Sequence, residues 1–215
     1  MERSKTTEWR LTIAYFAAFI GLGLTTGALG PTLPALASQT NRPLSAISYS
    51  FTFRSLGYVF GSLGSARLFD KDQGNYAMGL LMLVAAMTVC LIPFAPNLVL
   101  MLTIMLALGA FEAGLDVGAN TLLVRVHRTR VAPYMSAMHS CFGVGALVAP
   151  IIVAQLTLAS FRPIDSYFVI AVILLPLSLF LLTLPKVQAS DRHHSPEQDR
   201  RRTTRIIIFA LSLFL

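Results

Sequence analysis

LTIMLALGAFEAGLDVGANTLL, residues 102–123, is apolar enough to lie in lipid, yet it carries Glu112 and Asp116. At helical pitch a spacing of four stacks the two carboxylates on one face, and Asn120 continues that stripe by a further turn. An ionisable side chain at the centre of a bilayer costs between about 3 and 10 or more kcal/mol. Such groups persist where they face a water-filled cavity or a partner within a bundle. The stripe therefore points to a helical membrane protein that moves something across the membrane.

Working outward, the apolar residues come in long blocks, and a spanning helix needs roughly 20 of them. Six blocks qualify, at about 11–36, 47–68, 76–94, 98–124, 133–158 and 167–184, and a further one opens at Ile206. The fold class expected is all-α, a polytopic membrane protein with a six-helix unit over 1–185. A soluble linker, KVQASDRHHSPEQDRRRTTR, covers 186–205, and the first ten residues of a seventh helix cover 206–215. Ten residues make about half a span, so the sequence is expected to be a piece of a longer one. Proline-bearing turns separate the blocks at Pro43, at Pro93 to Pro96 and at Pro163, while Pro31 and Pro34 should kink the first helix near its outer end.

The net charge of +7 is a consequence of topology. With the N-terminus cytoplasmic, 14 of the 17 basic residues fall on inner segments, Arg42 and Arg162 lie outside, and Arg54 alone sits at membrane depth. Nucleic acid is not an expected partner; the lipid bilayer is. The first apolar block is too long for a cleaved signal peptide and reads as a retained helix. Cys90 and Cys141 offer neither a disulfide framework nor metal spacing, and His193 and His194 stand in the linker without further ligands. No metal site or cofactor is expected. An enzyme is excluded on inventory, since no HExxH, CxxC or phosphate-cradling loop occurs and GSLGS at 61–65 reads as a helix end.

Two polar pairings follow from depth. Asp116 and His139 lie at similar distances from the basic turn around His127, so an antiparallel hairpin sets them level, as a hydrogen-bonded pair or a proton relay. Arg54 on the second helix could pair with Glu112, because an unpaired guanidinium there is expensive. Gly114 and Gly118 point away from Asp116, so the fourth helix can pack on one side and face a cavity on the other.

The segment GSLGSARLFDKDQGN at 61–75 resembles the loop between helices two and three of the major facilitator superfamily, with Gly61, Gly64, Asp70, Lys71 and Gly74 matching in kind. Taken with GALGPTLPALA, FRSLGYVFGSLGSARLFD, GLDVGANTLL and PYMSAMHSCFGVGALVAP, the stretch 28–150 resembles the branch of the sodium-dependent glucose transporter type. More distantly it is similar to the fucose–galactose–gluconate proton symporters. The resemblance implies twelve helices in two halves built from inverted three-helix repeats, with substrate bound between the halves near the midplane and alternating access to it. The missing C-terminal half is then a required partner. By match to the symporters, Asp116, followed by Ala119 and Asn120, holds the place of their helix-four acid. Asp116 and Asn120 would contact sugar hydroxyls, and Glu112, a further candidate for substrate binding, would with Arg54 support the cavity. Asp116 with His139 would respond to a coupling ion, sodium or proton, while Arg67, Asp70, Lys71 and Arg125 would latch the cytoplasmic side. The symporters also carry an acid four residues before a helix-one proline, where this chain has Gly27. That departure favours the glucose-transporter type, sodium-coupled or facilitative, at the plasma membrane. A non-transporting receptor or regulatory paralogue, or a half-size transporter acting as a dimer, would be the alternative.

Overall fold

The computed structural model describes residues 5–65, 68–69 and 73–187. Among these residues the structure is helical, without strands. The long helices are α1 (Lys5–Gln39), α2 (Tyr49–Ser65), α3 (Gly74–Leu91), α4 (Leu98–His127), α5 (Val131–Leu158) and α6 (Ser166–Leu182). Four helical runs, Lys5–Gln39, Gly74–Phe94, Leu98–Leu158 and Pro163–Leu182, are long and apolar enough to cross a membrane. The third of them contains both α4 and α5, divided by a short turn at Arg128–Arg130. The expected second block is also divided. Leu44–Ile47 forms a separate turn of helix, and α2 begins at Tyr49 with 17 residues. Pro43 starts that separate turn, and the Ser48 hydroxyl donates to the Leu44 carbonyl at 2.7 Å where it ends.

Helix termini obey local chemistry. Asn97 opens α4 from an extended conformation, its side chain accepting from the Leu100 amide at 3.0 Å, the usual N-cap arrangement. α1 runs through Pro31 and Pro34 as continuous helix to Gln39. It then stops at Asn41, which has φ 51°, with the Arg42 amide reaching back to the Ala37 carbonyl at 3.0 Å and the Asn41 amide to Ser38 at 3.2 Å. α5 ends in the same way at Ser160, with φ 65° and Phe161 bonded back to Leu156 at 3.0 Å. Both are left-handed C-terminal caps of the kind glycine usually supplies. Ser160→Gly is therefore expected to raise thermal stability by up to about 1 kcal/mol, and Ser160→Val to lower it, in a melting assay on detergent-purified protein.

The helices do not pack in chain order. The most extensive pairings are α1 with α5, α2 with α4, and α3 with α6. Exchanging helices one to three for four to six turns the first pairing into the second and leaves the third unchanged. That is the symmetry two inverted three-helix repeats would produce. Close approach comes from small residues. A Cβ at Gly23 would lie 2.1 Å from the Phe142 carbonyl oxygen, and one at Gly145 would lie 2.1 Å from that of Ile20, so α1 and α5 touch backbone to backbone.

The core lies between α1, α3 and α6, where Tyr15, Phe19, Met78, Met82, Tyr167 and Leu174 are almost fully buried. Its polar atoms are paired across helices. The Tyr15 hydroxyl donates to Asn75 Oδ1 at 2.6 Å, and Asn75 Nδ2 donates to the Pro185 carbonyl at 2.5 Å. Thr32 and Tyr167 share a hydrogen bond of 2.8 Å. At the far end of α1, Gln39 Nε2 donates to the Ala95 carbonyl at 2.7 Å and so holds the turn between α3 and α4. These bonds fix the frame that carries the polar stripe of α4.

Candidate functional site

Residues 112, 116 and 120 recur at one turn each along α4, and the structure meets the first two with residues 54 and 58 of α2. Arg54 and Glu112 form a forked ion pair. The guanidinium donates from Nε to Oε2 at 2.8 Å and from Nη2 to Oε1 at 2.5 Å. Both side chains are buried, Arg54 at 9% and Glu112 at 4% exposure. α1 closes the arrangement. The Thr25 hydroxyl lies 2.6 Å from Glu112 Oε1, and Arg54 donates to the Thr25 carbonyl at 3.3 Å and to Thr26 Oγ1 at 3.0 Å. The charges cancel at close range, and each guanidinium nitrogen has an oxygen partner. Two parallel bonds of this kind give a strong, direction-specific contact.

One turn further along, the environment changes. The Tyr58 hydroxyl donates to Asp116 Oδ2, and Asn120 Nδ2 donates to Asp116 Oδ1 at 2.8 Å. Asp116 and Asn120 are only half-buried and Tyr58 is exposed. Both carboxylate oxygens are thus held by neutral donors, and among the described residues no cation pairs with Asp116. This half-buried carboxylate has no counter-charge among the described residues, whereas Glu112 already has one. On the opposite face of α4, Gly114 lies against Leu81 and Gly118 against Phe69 and Met78, so the packed and open sides fall as the glycine spacing leads one to expect.

Asp116 and His139 are not bonded to each other. His139 is exposed and sits edge-on to Phe19, ring centroids 5.2 Å apart. The depth argument did not make them neighbours, because α5 packs chiefly on α1, through Gly23, Gly27 and Gly145, and far less on α4. The expected pairing is corrected accordingly. Gly27 itself explains the absent helix-one acid, since a Cβ there would lie 2.5 Å from the Ala146 carbonyl oxygen and leave no room for a longer side chain. Of the expected latch residues, Arg67, Asp70 and Lys71 lie outside the described residues, as do His193 and His194. Arg125 is half-buried at the end of α4, with Nη1 unbonded among the described residues.

Several polar residues here escaped the sequence reading. Tyr58 was not singled out, although it lies four residues after Arg54, the same interval that links Glu112 to Asp116. Thr25 and Thr26 gave no signal at all. His127 served only as a turn marker, yet it is buried, with Nε2 2.7 Å from the Thr12 hydroxyl and its ring stacked on Tyr134 at 3.6 Å. Cys90 and Cys141 are free and half-buried, and no group of three or more metal-ligating side chains occurs among the described residues.

The profile of the Major Facilitator Superfamily matches residues 11–215. The chain belongs to that superfamily. Superfamily members are multi-pass integral membrane transporters rather than enzymes, in keeping with the apolar helical runs above. Among individual relatives, sodium-dependent glucose transporter 1 of Rattus norvegicus is 36% identical over 148 residues, which covers 69% of this chain and 31% of the rat protein. The Xenopus laevis protein of the same name is 31% identical over 215 residues, 86% of this chain and 43% of the relative. Major facilitator superfamily domain-containing protein 4A of Mus musculus is 31% identical over 142 residues, 66% of this chain and 28% of the relative. The chain thus spans less than half the length of these relatives. No solved structure is a significant match.

Proposed function

We propose that this chain is the N-terminal six-helix half of a sugar transporter, taking a hexose or related small polyol across the membrane by alternating access. In this reading a linker over 186–205 and a seventh helix from Ile206 lead into the C-terminal half, which completes the site. The N-terminus is cytoplasmic, in line with the bias of basic residues, and the membrane is the plasma membrane. The observation that carries the reading is Asp116, a half-buried carboxylate within a helical run apolar enough to span a membrane, held by Tyr58 and Asn120 and without a cation among the described residues. Carboxylate and amide groups accept and donate to sugar hydroxyls, and an uncompensated carboxylate attracts sodium or a proton. The sodium-dependent glucose transporters among the relatives support both halves of that statement.

Glu112 acts differently. Its charge is already met by Arg54, so it holds α1, α2 and α4 together beside the site and takes no part in ion binding. The test uses the complete protein that contains these residues, expressed in cells and assayed for labelled hexose uptake with and without sodium and across external pH. Asp116→Asn should lower ion-dependent uptake by about tenfold or more, the loss expected for one charged hydrogen bond, while surface labelling stays unchanged. Uptake by Asp116→Asn with unaltered kinetics and ion dependence would show that this carboxylate has no such role.

A further inference from the structure

We infer that the Tyr58 phenol relays ion occupancy at Asp116 to the bound sugar. The inference rests on the reading of Asp116 as the coupling carboxylate and assigns a role to a residue outside it. α2 and α4 are joined by two cross-links, Arg54 to Glu112 and Tyr58 to Asp116, each spanning 58 residues of sequence. The first is charge-balanced, buried and tied to α1. The second has no cation among the described residues, and its phenol is 38% exposed. Between them the backbones are in contact. A Cβ at Gly57 would lie 1.9 Å from the Leu106 carbonyl oxygen, and one at Gly109 would lie 2.0 Å from that of Arg54. The frame around Tyr58 is therefore fixed, and only its side chain has room to respond.

A phenol both donates and accepts, whereas an ionised carboxylate only accepts. With Asp116 empty, Tyr58 must give its hydrogen to Oδ2. A sodium ion on Asp116 competes for the same lone pairs, and a proton makes the carboxyl a donor in its own right. Either event frees the Tyr58 hydrogen, which can then turn to a sugar oxygen on the exposed side. The ion thus creates a donor for the substrate, and the substrate stabilises the ion-bound form by the same coupling free energy.

The charged surroundings leave Asp116 as the group that responds. Glu112 and Arg54, one turn away on α4 and α2, neutralise each other. α1 faces them with Thr25, α3 packs on the opposite side of α4 with Met78 and Leu81, and His139 of α5 is exposed beside Phe19.

Tyr58→Phe removes the donor and keeps the ring. Because the phenol is exposed, the change leaves no cavity, and membrane level is checked by surface labelling. The complete protein carrying Tyr58→Phe should reach half-maximal uptake at about tenfold lower concentration of the coupling ion, sodium or proton. Its dependence of sugar KM on the ion should flatten. Tyr49→Phe, at the distant end of α2, should follow the wild-type curve. A role confined to holding helices together would alter the amount of protein and leave the curve in place. Wild-type uptake indifferent to both ions, or Asp116→Asn that stays ion-dependent, overturns the coupling reading and this inference with it. A coupled wild type, an uncoupled Asp116→Asn and a Tyr58→Phe curve superimposed on wild type overturn this inference alone.

Discussion

Glu112→Leu is expected to destabilise the protein by about 3–5 kcal/mol, and Arg54→Met added to it is expected to return most of that loss. The guanidinium of Arg54 cannot shed its charge. Without Glu112 it keeps only the Thr25 carbonyl and the Thr26 hydroxyl as partners, and a buried cation stranded in this way is among the most expensive single lesions available. Replacing both partners with apolar side chains removes the stranded charge and its desolvation cost together, so the double variant recovers. The Thr25 hydroxyl is not orphaned by the change, because the Leu22 carbonyl lies 2.9 Å away. Removing the other partner first gives a different result. In Arg54→Met the stranded group is a carboxylate, which unlike a guanidinium can shed its charge, so the loss should be smaller. The Glu112→Leu loss has no such relief. Thermal unfolding in detergent, on both single variants and the double, reads all three statements. Single-variant losses that simply add in the double would mean the two side chains do not act as a pair.

The sequence exposed this pair because of its cost. One arginine in apolar surroundings needs an anion, and one of the two carboxylates in reach supplied it. The helical blocks were legible for the same reason, since lipid permits few ways to satisfy a backbone. Lateral arrangement was not legible. The sequence sets Asp116 and His139 at one expected depth, but depth is one coordinate, and which helices lie side by side is set by small-residue faces that meet across the bundle. Gly23 and Gly145 decide that α5 lies on α1, and each glycine alone carries no label naming its partner. Helix ends at Asn41 and Ser160 were likewise hidden, because the left-handed cap there is taken by residues other than glycine. Tyr58 was missed because a tyrosine among Leu, Val and Phe looks apolar until its hydroxyl is seen against a carboxylate.

The glycine faces carry the second large effect. Gly57→Ala and Gly109→Ala are each expected to cost several kcal/mol, or to prevent recovery of folded protein, while Gly143→Ala is expected to be neutral. The three substitutions are chemically identical and each adds one methyl group to a helix, which on intrinsic propensity should help slightly. What differs is the neighbour. The new methyl meets carbonyl oxygens at 1.9 Å and 2.0 Å at the first two positions and nothing within 4 Å at Gly143. A backbone carbonyl cannot rotate away as a side chain can, so α2 and α4 must separate by more than an ångström, and packed interiors resist such shifts. The separation would also pull Arg54 from Glu112 and Tyr58 from Asp116, since the same two helices carry all four residues. Gly57→Ala should therefore lose ion-dependent uptake along with stability, whereas Gly143→Ala should keep both. Fluorescence-detected size exclusion with a melting series, followed by uptake on whatever folds, makes the comparison. Equal behaviour of all three variants would mean that α2 and α4 are not held backbone to backbone.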